Sequence, residues 1–406
     1  MDPRKISIDS YNYPLPDERI AKYPVSQRDQ SKLLVYNHGE LSEDVFRNLS
    51  EHLPTDSLMI FNETRVVHAR LIFRKETGGA IEIFCLEPAD FGDTQLAFQQ
   101  TGNCVWRCLV GNARRWKSGI LALKVLKDGL GIHVVVEKLE RKDDTFLVQF
   151  RWQPEHLTFS DILEFTGHIP LPPYLNREDQ EDDAVRYQTM FARNDGSVAA
   201  PTAGLHFTPE VLGTLAVKNI EVARITLHVG AGTFRPVNSE TLEGHQMHRE
   251  EVSIHSDVIK KLLEYEGKPV ILVGTTTVRA IESVYWQGVK WLMKESDQPV
   301  MNVEQWDPYK MKEYHPVTHK ESLTNVIDVL QRYQLNELRG KTSLMIAPGY
   351  RYQFPDAIIT NFHQPKSTLL LLVSAFIGDD WRKAYDYALD QDFRFLSYGD
   401  SCLFMK

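Results

Sequence analysis

The sequence predicts an α/β protein, a discontinuous α/β sandwich domain interrupted by a small antiparallel β-barrel domain. Three observations predict it. Toward both ends of the chain, short runs that would be apolar on both faces alternate with helical stretches, the pattern of a parallel sheet covered by helices. Between residues 68 and 152 the helical period vanishes, and β-rich runs follow one another with a turn about every ten residues, as in a small barrel. At 406 residues the chain is also too long for one compact core. The expected division is 1–67 plus 153–406 for the α/β domain and 68–152 for the inserted barrel.

In chain order, a polar, proline-containing opening leads to LLVY (33–36), fit for a buried strand. Ser42 ahead of EDVFRNLSEHL, with Glu43 and Asp44 in the first turn, predicts a helix. LMIF (58–61) is a second buried strand. IEIFCL, VWRCLV, ILALKVL, IHVVVE and TFLVQF are the barrel strands, parted by glycine- and Lys-Asp-containing turns. HLTFSDILEF is helical and GHIPLPPYLNRED a proline-rich loop. TPEVLGTLAVKN is a helix with Thr208 as its cap and Pro209 in its first position. ARITLHVG is a strand, and PVILVGTTTVRAIESVYW reads as strand, tight turn and helix. Residues 286–340 are polar and read as an excursion from the core, with a helix at SLTNVIDVLQRYQL. The chain then returns to the core with SLMIA and AIIT as strands, TLLLLVSAFIG and WRKAYDYALDQ as helices, and FRFLSYGDSCLF as a terminal strand.

Composition excludes several classes. A net charge of −9 argues against a surface that binds nucleic acid all over, so any such contact must use a local basic patch. The four cysteines, Cys85, Cys104, Cys108 and Cys402, form no CxxC pair and read as reduced thiols without metal. The N-terminal stretch lacks the apolar centre of a signal peptide, and the longest apolar run, Leu369 to Ile377, falls far short of a membrane span. A soluble, cytoplasmic protein with no membrane contact and no metal is expected.

Five polar constellations stand out. In VGTTTVRAIE, Gly274, Thr275 and Thr276 join a strand to a helix carrying Arg279, and free amides at a helix start attract anions. The GxxxxGK[ST] pattern of a P-loop is absent. SVAAPTAGLHFT is a small-residue loop bearing Thr202 and His206. LHVGAGTFRPV carries His228, Gly230, Gly232 and Thr233; Pro236 blocks the helix that a dinucleotide fingerprint requires. HQMHREE carries His245, His248 and Glu250 without the HExxH spacing of a zinc helix, leaving hydrogen-bonded turn histidines or proton-transfer groups. AIITNFHQPKST carries Asn361, His363, Lys366 and Ser367 after a strand. Loops at the carboxyl ends of strands in open α/β sheets share a ligand crevice, and three of the five constellations follow a predicted strand directly, so they are expected to converge on one crevice. On the barrel, Arg107, Arg114, Arg115 and Lys117 surround Trp116, either a phosphate-and-base contact or a solvated hairpin tip.

Taken together, the chain resembles the S-adenosylmethionine:tRNA ribosyltransferase-isomerase (QueA) family. Eleven strings carry the likeness in order along nearly the whole chain: YNYPLPDERIAKYPVSQRDQSKLLV, FNETRVVHARL, TGGAIEIF, PLPPYLNRED, YQTMFA, GSVAAPTAGLHFT, LHVGAGTFRPV, MHRE, VGTTTVRAIES, PGYRYQFPDAIITNFHQPKSTLLLLVSAFIG and FRFLSYGD. The resemblance implies a discontinuous α/β domain with an inserted β-barrel. It implies transfer of the ribosyl part of S-adenosylmethionine to a 7-aminomethyl-7-deazaguanine base at the tRNA wobble position, with rearrangement to an epoxycyclopentanediol and loss of adenine and methionine. S-adenosylmethionine would be a co-substrate, tRNA the partner, and no prosthetic group is implied.

Such chemistry needs a base, an acid and an anion site. His206, His228, His248, Glu250 and His363 form the expected proton-transfer pool. Thr202, Gly230, Gly232, Thr233, Gly274, Thr275, Thr276, Arg279, Asn361 and Lys366 are expected to hold substrate. Arg107, Arg114, Arg115 and Lys117 are expected to meet tRNA. The chain departs from the family pattern in its long 286–340 link, in Arg28-Asp29-Gln30-Ser31-Lys32, in His68 and in Gln364, which admits a paralogue acting on a different substrate. A non-catalytic RNA-binding module is the other alternative, although it would not need five polar knots at strand ends. A methyltransferase would show a glycine-rich turn after an early strand, and residues 1–70 have none.

Overall fold

LLVY and LMIF are buried end to end, within strands Lys32–Asn37 and Leu58–Asn62. In the computed structural model, which describes all residues except 1, 76–77, 90–93, 118, 128, 231–236, 238 and 312–316, both belong to a ten-stranded mixed sheet. Its order is Met301–Val303, Glu337–Thr342, Glu250–His255, Glu221–His228, Leu58–Asn62, Val270–Val273, Ala357–Asn361, Ser401–Met405, Lys32–Asn37 and Glu40–Val45. The four strands from Glu221–His228 to Ala357–Asn361 run parallel.

Side chains alternate across a strand, so each run feeds two cores. Leu34, Leu58, Ile60, Ile225 and Leu272 meet the helices Ser256–Glu264, Thr275–Leu292, His319–Arg332, Thr368–Ile377 and Asp380–Asp390. Leu33, Val35, Met59, Phe61, Ile271 and Ile359 face the opposite way, onto Phe46, Phe207, Val211 and Leu215. The sheet is thus covered on both sides, as its apolar pattern requires.

The six-stranded antiparallel sheet runs Arg70–Arg74, Ala80–Pro88, Asn103–Gly111, Thr145–Gln153, Leu130–Lys142 and Ile120–Lys127. Its first and last strands approach within 8 Å, nearly closing a barrel. Inward positions carry Phe73, Ile83, Trp106, Val134, Val136 and Phe150. The helix Phe159–Thr166 begins with a capping box between Thr158 and Asp161, and Phe159, Ile162 and Leu163 bury into this same core.

Four local readings are corrected. Residues 40–45 are a strand antiparallel to Lys32–Asn37, not helix; only Phe46–His52 coils, as a 3-10 turn. His38 and Gly39, with φ of 47° and 93°, form a two-residue hairpin turn that sets this pairing. The segment 286–340 is no excursion. It supplies the edge strand Met301–Val303 and its neighbour Glu337–Thr342, and Leu323, Val326 and Leu330 of its helix His319–Arg332 form an apolar stripe in the main core. SLMIA is buried outside the strands, with the Ser343 and Met345 N–H groups donating to the Val303 and Gln305 carbonyls, and the final strand is confined to Ser401–Met405.

Candidate functional site

Strand Val270–Val273 ends at Gly274, whose φ of 89° turns the chain directly into helix Thr275–Leu292. No side chain caps that helix, so its first amides remain available to an acceptor. The neighbouring strand Ala357–Asn361 ends beside it, and the 3-10 turn Thr202–His206 crosses the same end. Together they enclose a cleft of about 740 Å³, measured with its open mouth. Thr202, Gly274, Thr275, Thr276, Asn361 and His363 all line it. So do Tyr174, Tyr187, Phe362 and Ser397, to which sequence reasoning assigned no role. The first two and the last lie in the strings PLPPYLNRED, YQTMFA and FRFLSYGD, so the signal was present but unassigned.

His206 does not reach the cleft surface. It is buried behind Asn361, with Nδ1 2.8 Å from Ser31 Oγ and Nε2 3.1 Å from Asn361 Nδ2. The amide can only donate, so Nε2 accepts and the ring proton sits on Nδ1, donated to Ser31. Burial, helped by the positive charges of Arg394 and Arg28, pushes its pKa down to about 3. His363 is likewise held at about 3 by burial, with Nε2 3.0 Å from Thr360 Oγ1. Its backbone is clamped: the N–H donates to Tyr385 Oη at 3.0 Å and the carbonyl accepts from Tyr13. Both imidazoles are therefore neutral near pH 7, and neither carries an acidic proton there. Asn361 Oδ1, by contrast, is buried on the cleft wall without a hydrogen-bond partner among the described residues.

The remaining histidines line a second hollow, of about 1160 Å³ with its mouth, between the barrel and the edge of the large sheet. His228, Gly230 and His248 belong to it, and Arg107 faces them from the barrel. Val229 lines both hollows, which adjoin there. His228 Nδ1 lies 2.8 Å from Thr64 Oγ1, and its ring packs so closely on Gly196 that a Cβ there would stand 2.6 Å from it. Glu250 is fully buried between His248 Nε2 at 3.0 Å and Arg279 Nη1 at 2.6 Å. Burial would raise the Glu250 carboxyl, but Arg279, His248 and the Gly230 N–H outweigh it and hold the group below the usual carboxylate range.

Two of the residues expected to hold substrate have protein partners here. The Arg279 guanidinium is buried on Glu250 and the Leu344 carbonyl, away from the cleft. Lys366 points outward and pairs with Asp9 at 2.6 Å. Gly232 and Thr233 lie outside the described residues. The basic patch divides as well. Arg114, Arg115 and Lys117 are exposed on the turn after Asn103–Gly111, whereas Arg107 pairs with Glu87 at 3.0 Å inside the second hollow. Trp116 cannot stack on a base: it is 1% exposed, its indole N–H donates to the Gly119 carbonyl, and Lys138 lies over its ring. Among the described residues no group of three His, Cys, Asp or Glu side chains is placed to hold a metal, and no helix is long and apolar enough to cross a membrane.

Comparison with known proteins gives a consistent set of relatives. Residues 8–404 match the family described as queuosine biosynthesis protein. The S-adenosylmethionine:tRNA ribosyltransferase-isomerase of Trichlorobacter lovleyi is 38% identical over 98% of this chain and 99% of its own length. The proteins of the same name from Syntrophomonas wolfei and Aromatoleum aromaticum are 36% and 38% identical, each over 98% of this chain and 96% of their own. A crystal structure titled S-adenosylmethionine tRNA ribosyltransferase, from Thermotoga maritima, is 26% identical and covers 97% of this chain and 99% of its own, with a TM-score of 0.45, an overlay too loose to bear on the fold.

Proposed function

The chain belongs to the queuosine biosynthesis protein family, and from that premise we propose that it is an S-adenosylmethionine:tRNA ribosyltransferase-isomerase. It transfers the ribosyl part of S-adenosylmethionine to the aminomethyl group of 7-aminomethyl-7-deazaguanine at the tRNA wobble position and rearranges it to epoxyqueuosine. Adenine and methionine are released. S-adenosylmethionine is consumed as a co-substrate, and no prosthetic group is required. Use of tRNA as substrate implies a cytoplasmic location.

The observation that carries this reading is the cleft in which loops far apart in the chain, at Thr202, Gly274–Thr276 and Asn361–His363, come together. Its parts suit the co-substrate. The open amides at Thr275 and Thr276 suit the methionine carboxylate, because a helix start concentrates N–H donors and a partial positive charge. Asn361 Oδ1 offers a buried acceptor to an ammonium or amino group. Tyr174, Tyr187 and Phe362 supply aromatic surface that excludes water and tolerates a sulfonium cation. His206 and His363, neutral and hydrogen-bonded, position this wall.

Purified protein is expected to release adenine from S-adenosylmethionine only when tRNA bearing the aminomethyl base is present, with a matching mass gain on that tRNA. Formation of S-adenosylhomocysteine would overturn the ribosyl reading in favour of methyl transfer. A tRNA gel shift with no turnover of S-adenosylmethionine would favour a binding module instead.

A further inference from the structure

The Glu250 and Arg279 side chains are 0% and 5% exposed and 2.6 Å apart. Burying two charges is costly, and an apolar pair of the same volume would pack as well or better. Packing therefore does not explain the pair; its third member does. Glu250 Oε1 takes the Nε2 side of His248 at 3.0 Å, and the His248 side chain, 28% exposed, reaches into the hollow between the barrel and the sheet. A carboxylate acceptor fixes the ring proton on Nε2 and leaves Nδ1 as the basic nitrogen.

We infer that His248 is a catalytic residue that takes up the proton shed by the substrate, and that Glu250 and Arg279 are positioning residues that fix its tautomer and stabilise its protonated form. The inference rests on the ribosyl-transfer reading. In that reaction a C–H bond beside the sulfonium breaks. Its electron pair stays on the carbon, stabilised by the adjacent positive sulfur, and the proton moves to His248 Nδ1. The imidazolium so formed faces the Glu250 carboxylate, whose own charge Arg279 keeps from being neutralised. Val229 lines both this hollow and the cleft, so the two adjoin there, and a Cβ on Gly230, the next residue, would stand 3.6 Å from the His248 ring.

The other histidines are less suited. His206 and His363 are buried and neutral, with little tendency to take a proton. His228 is packed on Gly196 and contacted at both ring nitrogens, by Thr64 and Gln95. Charges around His248 are mixed: Glu87, Arg107 and Asp144 face it from the barrel, and Arg249, Glu251 and Lys341 from the sheet edge, with His228 and His245 nearby. Glu250 is in direct contact with its ring.

The test measures adenine release, with tRNA bearing the aminomethyl base, by the wild-type protein and by His248→Gln and Glu250→Gln. His248→Gln, at a part-exposed position, is expected to lose at least about 100-fold in kcat with its S-adenosylmethionine Kd held within about threefold. Glu250→Gln keeps shape but removes charge. It is expected to lower kcat at least about tenfold with the S-adenosylmethionine Kd held within about threefold, because the ring loses the carboxylate that orients it. Wild-type turnover with His248→Gln within about threefold of it, or a folded Glu250→Gln whose kcat stays within about threefold of wild type, would overturn the relay alone. Absence of adenine release by the wild-type protein would overturn the ribosyl reading and the relay with it.

Discussion

His206 and His363 show how burial decides a residue's chemical state. Each is held near pKa 3 against an ordinary 6.5, so the unfolded chain binds their protons first. Their contribution to stability is complete above pH 6.5 and is lost as pH falls from there toward 3, by about 2 kcal/mol per histidine at pH 5. Glu282 works in the opposite sense. Burial pushes its pKa up to about 7 despite hydrogen bonds from Tyr350 Oη at 2.6 Å and the N–H groups of Gln353 and Phe354. Its contribution is complete below 4.5 and is lost as pH rises through 7. Thermal melts across pH 4–9 are expected to rise in Tm from pH 4 to about 6.5 and then level off, the loss at Glu282 offsetting part of the gain at the two histidines, and Glu282→Gln to steepen that rise; an unchanged rise in that variant would contradict the assignment. Gly274 is a second single-residue case. A Cβ there would find room, its nearest neighbours being 3.7 Å away, but a φ of 89° strains any side chain. Gly274→Ala is expected to cost about 1–2 kcal/mol in urea unfolding and to weaken S-adenosylmethionine binding, as the helix start shifts.

Among the elements, the helix Phe159–Thr166 has the clearest energetic role. The sequence reads HLTFSDILEF as helical, and the division at residue 153 assigned it to the α/β part. Its apolar face instead completes the barrel core. The Phe159 ring lies 5.1 Å from Trp106, 5.2 Å from Phe150 and 5.7 Å from Trp152, ring centre to ring centre. Phe159→Ala is expected to cost about 3–5 kcal/mol, read as a lower urea midpoint. A loss below about 1 kcal/mol would mean that the barrel closes without it. The hairpin at residues 32–45 teaches the converse lesson. Glu43 and Asp44 mimic the first turn of a helix, but pairing with Lys32–Asn37 across the His38-Gly39 turn wins, because strand partners outweigh a weak local propensity.

For the whole molecule, the question is how a chain of net charge −9 receives a polyanion. The exposed Arg114 and Arg115 turn is the expected outer contact, and Arg107 lies apart from it in the inter-layer hollow. Replacing both turn arginines with alanine is expected to weaken tRNA binding and to lower the slope of log K against log salt by roughly one unit per lost phosphate contact. An unchanged slope in filter-binding titrations would place the tRNA elsewhere. The assembly also explains the segment 286–340: a polar composition suited an excursion, yet its helix and two strands extend the main sheet and core.

Read alone, the sequence determined the kind of fold, the barrel strands, the capped helices and the loops that carry polar residues at strand ends. These follow from local rules, two residues per strand repeat and 3.6 per helical turn, and from cap chemistry within one turn. Only the tertiary structure decided which of those loops meet. It divided the expected single crevice into two hollows sharing Val229, gave Arg279 to Glu250, buried Trp116, and set His206 behind Asn361 and beside Ser31, partners 155 and 175 residues away in the chain. Whether a polar side chain faces a ligand or another side chain depends on such distant partners, and no periodicity along the chain encodes them.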